Sequence, residues 1–176
     1  MLFPFLLLVA VGFVVWTLMA PGRAFLPAFA NLLAEPVLQQ SPLSFFSGRS
    51  YVLGRFGGRE VAVRLQQKRG RYQAGYLVIA VRTGGPRTLD ATGIDAHTRD
   101  DAGRHALFTI AANDLPLSVE SGWLKALWMP AGFVIFPGRF EEEKWRRVLE
   151  AMVAVAASLE APAQDSITSA EGQEPS

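Results

Sequence analysis

The stretch that decides the fold is YVLGRFGGREVAVRLQQKRGRYQAGYLVIAVRT, residues 51–83. Val61, Val63 and Leu65 alternate with Ala62, Arg64 and Gln66. That is the period of a strand with one face buried and one wet, because successive side chains of a strand point to opposite faces. Gly57-Gly58 supplies a turn that tolerates positive φ, and Lys68-Arg69-Gly70-Arg71 supplies the next, so two successive antiparallel hairpins are expected. YLVIAV at 76–81 is apolar on both faces and is expected as a central strand, covered on each side by other parts of the chain or by a membrane.

Toward the N-terminus the chain opens MLFPFLLLVAVGFVVWTLMAPGR, with no charged side chain before Arg23. A bilayer core about 30 Å thick is crossed by roughly 20 apolar helical residues. A cleaved export signal fits less well: no basic residue precedes the apolar run, and Leu18 and Pro21 would flank a cut after Ala20 unfavourably. Ala28-Phe29-Ala30 has the small-x-small form but lies about ten residues beyond the apolar run. Residues 1–22 are therefore expected as a retained transmembrane anchor, ended by the Pro21-Gly22 break, with Trp16 near its interface end. Residues 23–43, which include Phe25, Phe29, Leu32 and Leu33 and three prolines, are expected as a juxtamembrane linker containing a short interfacial helix or packing on the domain.

Toward the C-terminus, Trp145, Val148, Leu149, Met152, Ala156 and Leu159 recur at helical spacing and form one apolar stripe. Glu141 to Glu143 suit the positive end of the helix dipole and Pro162 stops the helix. Residues 161–176 are Ser, Gln, Glu and Pro rich and are expected as a disordered acidic tail. Between the β signature and this helix, 84–104 reads as loop with one short strand near Leu89. HALFTIA at 105–111 reads as strand, the segment from Asn113 as a helix capped by Asn113 or Asp114, and AGFVIF at 131–136 as a short buried strand.

The fold class that follows is α+β: an N-terminal transmembrane helix, then a small antiparallel β-sheet domain over 44–160 packed by a C-terminal amphipathic helix. The absence of cysteine removes any disulfide framework. From Arg49 to Arg87 nine basic residues face Glu60 alone, whereas from Thr88 to Glu120 acids outnumber bases. Arg55, Arg59, Arg64, Lys68, Arg69 and Arg71 belong to adjacent strands and turns, and on a hairpin several of them should converge as an anion-binding face. Near a membrane the closest phosphates are lipid headgroups; nucleic acid ranks lower, since Tyr51, Phe56, Tyr72 and Tyr76 form no recognisable RNA-stacking motif.

No P-loop, strained G-x-S-x-G turn or dinucleotide fingerprint is present, and no cofactor is implied. The only histidines lie in DAHTRDDAGRH, where Asp95, His97, Asp100, Asp101 and His105 are candidate metal ligands for a metal-assisted hydrolase, although their spacing matches no metal motif. The expected function is that of a bacterial-type single-pass protein of the plasma (inner) membrane, with a small non-catalytic binding or assembly domain at the membrane surface. Its expected partners are membrane lipids, a protein or a second copy of itself. The arginines beyond residue 22 favour a domain on the cytoplasmic side.

Overall fold

A computed structural model describes residues 2–39, 50–67, 75–84, 88–98, 100–128 and 140–160. Its elements in chain order are helix α1 (Leu2–Ala30), strands β1 (Ala34–Gln39), β2 (Tyr51–Phe56), β3 (Arg59–Gln67) and β4 (Gly75–Arg82), helices α2 (Ala91–His97) and α3 (Asp101–Ala111), strands β5 (Leu117–Glu120) and β6 (Trp123–Trp128), and helix α4 (Glu142–Glu160). The strands form one antiparallel sheet in the order β1-β2-β3-β4-β6-β5. The α+β class, the two hairpins of residues 51–83 and the central place of β4 agree with the sequence reading.

Register assigns the two faces. Val52, Val61, Val63, Leu77, Ile79, Val81, Leu124, Ala126 and Val119 share the first face and are buried in one core. Helix α4 lays its apolar stripe there: Trp145, Val148, Leu149, Met152, Val155 and Ala156 are all buried in the same core. Each fully buried side chain of this size contributes about 1.5–3 kcal/mol relative to exposure, so this face dominates stability. The second face carries Tyr51, Leu53, Arg55, Ala62, Arg64, Val78, Ala80, Trp123, Lys125 and Leu127. Its small central residues Ala62, Val78 and Ala80 are buried too, and Arg64 and Lys125 stand next to them in the register.

Both two-residue turns that join paired strands have left-handed backbone. Gly57 and Gly58 have φ of 55° and 79°, and Ser121 and Gly122 have 51° and 77°. Two successive positive φ values give the turn whose twist matches the strands it joins. The second of these turns corrects the expectation of a helix after Asn113. That segment is the β5–β6 hairpin, because Val119, Leu124 and Ala126 alternate into the core around a turn that a helix cannot contain.

Three other expectations change. HALFTIA is not a strand but most of α3, which buries the short stripe Gly103, Ala106 and Ile110. The stretch around residues 84–104 holds α2 and the start of α3; Leu89 makes a single antiparallel bridge to Val119. Helix α1 does not stop at Pro21-Gly22 but runs to Ala30, and β1 follows at once, so the segment expected as a linker supplies a helix end and an edge strand. Burial explains the continuation: Phe25, Leu26, Phe29 and Ala30 enter the core, and that packing outweighs the hydrogen bond lost at each proline. The strand expected at 131–136 lies outside the described residues.

Candidate functional site

Aromatic side chains gather at the junction between α1 and the domain. Phe25 and Phe29, one turn apart, bring their rings to β6 and α4. The Phe25 centroid lies 5.0 Å from Trp128 and 5.7 Å from Phe140; Phe29 lies 5.2 Å from Phe140 and 5.1 Å from Trp145; Trp128 and Trp145 are 5.0 Å apart. Most of these pairs are edge-on, the geometry in which a ring's positive rim meets another's negative face. Beyond the rings, Leu33 closes against Gly54, where a side chain on β2 would have met its Cβ at 2.8 Å. Sequence spacing marks Phe25 and Phe29 as neighbours on a helix, but nothing in it marks Trp128 or Phe140 as their partners.

Before the junction, α1 changes environment. Leu6, Leu7, Leu8 and Val9 follow one another around the helix and are each 54–74% exposed, whereas Phe29 is fully buried. Among the described residues no helix is long and apolar enough to cross a membrane.

The expected basic face is only partly assembled. Arg55 and Arg64 lie on the second sheet face but four pairs apart, Arg55 opposite Glu60 and Arg64 opposite Tyr51 and Val78. Arg59 lies on the first face, where its guanidinium donates to both carboxylate oxygens of Glu160 at 2.7 and 2.8 Å and to the Arg82 carbonyl at 3.0 Å. The Gly84 amide donates to the same carboxylate. Arg82 stacks over Trp123, 5.2 Å from its ring centre. The described cations therefore do not converge, and Lys68, Arg69 and Arg71 lie outside the described residues.

The clamp on Glu160 fixes the end of α4 to the turn of the first hairpin. Hydrogen bonding from Arg59 holds the Glu160 carboxyl below its ordinary value of 4.5, and burial opposes the shift. A depressed carboxylate pKa contributes stability that is fully present above the unfolded pKa and lost as pH falls through the folded one. In urea unfolding followed by circular dichroism, Glu160→Gln is expected to lose about 1 kcal/mol at pH 7, the upper range for a partly exposed ion pair. The deficit should shrink as pH falls below 4.5; a deficit unchanged at acid pH would show that the ion pair is not its source.

The candidate metal loop is taken up by capping. Asp90 and Asp100 are the N-caps of α2 and α3, accepting from the Gly93 and Gly103 amides at 2.8 and 3.0 Å. Asp100 also accepts from the Ser158 hydroxyl at 2.6 Å, which with the Gly103 amide holds its carboxyl below the ordinary value. His97 donates from Nδ1 to the Gly93 carbonyl at 2.7 Å. Asp95 is exposed on α2, Asp101 opens α3, and His105 is exposed one turn later. Among the described residues no three His, Asp or Glu side chains gather closely enough to hold a metal ion.

No protein-family model, curated protein or solved structure matches this chain.

Proposed function

We propose that this chain is a single-pass membrane protein whose α+β domain is a non-catalytic binding or assembly module held at the membrane surface by α1. The observation that carries the reading is the continuity of that helix. A helix apolar around its whole circumference needs an apolar surrounding along its length, and Leu6 to Val9 cover that circumference while remaining exposed. The same helix enters the domain core at Phe25. Leu6 to Val9 alone are too few for a span, so the reading joins them to the rest of the uncharged run from Leu2 to Gly22. A cut after Ala30 would remove Phe25, Leu26 and Phe29 from the core, which argues against an export signal ending there.

Charge supports a lipid contact. In the sequence Lys68, Arg69 and Arg71 follow β3 directly, and their charge suits the phosphates of lipid headgroups. Near an anionic surface each basic residue contributes about 1 kcal/mol. The cytoplasmic leaflet is the surface this charge favours.

The test is alkaline carbonate extraction of membranes from cells making the full chain. The wild type is expected in the pellet. The double change Leu7→Arg and Val11→Arg adds about 5–7 kcal/mol to insertion at central positions and should move the protein to the supernatant. Release of the wild type by carbonate would end the anchor reading.

A further inference from the structure

The sheet is chemically polarised along its strands. At the end where α1 enters, β2 begins with Tyr51, β4 begins with Gly75-Tyr76 and β6 ends with Trp128. The pairing places Trp128 opposite Leu77, Tyr76 opposite Gln66, and Tyr51 opposite Arg64 and Gln39. Tyr51, Tyr76 and Trp128 are all half-buried. Among the described strand residues of these last pairs, Arg64 is the only charged one and none is acidic. The opposite end of the same strands holds Arg55, Arg59, Glu60, Arg82 and Glu120, and its one tryptophan, Trp123, lies under the Arg82 guanidinium. Helix α4 also begins near the aromatic end, where Glu142 and Glu143 are paired with Arg146 and Arg147 at 2.9 and 3.1 Å and Lys144 lies over the Trp145 ring.

Tyrosine and tryptophan favour the membrane–water interface because each has an apolar ring and one polar group that stays wet. An end whose strand pairs are rich in such residues and carry Arg64 but no acid, with the Glu142 and Glu143 carboxylates of the adjoining helix paired to Arg146 and Arg147, is matched to a headgroup layer; an end crowded with carboxylates and arginines is matched to water. Position agrees with chemistry. Phe25 packs on Trp128, and the residues before it continue the helix outward, so that Phe13, twelve residues earlier, stands about 18 Å further along the axis.

Taking the anchor reading as its basis, we infer that the end of the sheet marked by Tyr51, Tyr76 and Trp128 faces the lipid headgroup layer, with the Glu60 and Glu120 end pointing into water. The domain is thus a second membrane contact, made by strand ends, in addition to α1.

The chain has no cysteine, so single spin labels are introduced through Tyr76→Cys and Glu60→Cys in the full protein in liposomes. These positions lie six residues apart along the sheet, about 20 Å. Nickel-chelating headgroup lipid is the relaxing probe. The label at 76 is expected to relax several-fold faster than the label at 60, with the pair Tyr51→Cys and Glu120→Cys repeating the contrast; circular dichroism confirms that each variant is folded. Equal relaxation in protein that resists carbonate extraction overturns the orientation while sparing the anchor. Release by carbonate overturns the anchor and, with it, the orientation.

Discussion

Trp145→Ala is expected to lower the thermal midpoint of the full chain in detergent micelles by roughly 10–15 °C, the equivalent of about 3–5 kcal/mol. Trp145 is almost fully buried and meets Phe29, Trp128 and Phe140, so its removal leaves a void at the point where α1, β6 and α4 converge. The surroundings cannot readily close around it, because the neighbouring rings are held apart on α1, on β6 and on the segment just before α4. The comparison is Trp123→Ala, on the second face under Arg82 and half-exposed, for which less than half that shift is expected. Equal shifts at the two positions would mean that the aromatic junction has no special part in stability.

Gly103→Leu is expected to have the next largest effect, because α3 meets α4 through a glycine. A Cβ there would sit 2.5 Å from Asp100 Oδ1, 2.6 Å from Thr98 Cγ2 and 2.8 Å from Ser158 Cβ. The first and third of these groups are tied together by the Ser158 hydroxyl bond to Asp100, so neither can retreat without breaking it. Overpacking alone costs about 1–3 kcal/mol, and a side chain as long as leucine should reach the top of that range by separating Ala106 and Ile110 from the core. Gly103→Ala gives the sharper test of sign. Alanine gains about 1 kcal/mol of helix propensity over glycine, yet net destabilisation is expected because of the three close contacts. Urea unfolding of both variants beside Ala102→Leu, an exposed neighbour, checks this; a stabilised Gly103→Ala would show that the helices separate without cost.

The β2–β3–β4 meander and α4 were legible because each has a strong period: Val61 and Val63 with Ile79 and Val81, and Trp145 through Leu159. Helix α3 was missed because its buried stripe begins with Gly103 and Ala106, too small to stand out, although Asp100 offered a capping signal. The β5–β6 hairpin was missed because its turn uses serine at the first left-handed position. Helix α1 was cut short at Pro21 because sequence shows the proline and not the core that receives Phe25 and Phe29. The basic residues carried a signal that was not used: Arg59 and Arg64 are five apart on one strand, so alternation alone puts them on opposite faces. Recognition of the Arg59 clamp on Glu160 needed the fold, since the two are 101 residues apart in the chain.

The pairing order has a consequence for how the chain acquires this structure. β1 to β4 pair with their sequence neighbours and β5 pairs with β6, so these contacts close short loops and should form early; only β4–β6 reaches across an interval, the one that contains α2 and α3. The apolar face of the early meander, Val52, Val61, Val63, Ile79 and Val81, is sealed by α4, which follows every described strand in the chain. Until Glu160 has emerged and met Arg59, a nascent chain therefore carries a hydrophobic sheet face without its α4 cover. A chain stalled between Arg82 and Trp145 would be prone to aggregation, and the early arrival of Phe25, Leu26, Phe29 and Leu33 in the same core gives that intermediate part of its intramolecular cover.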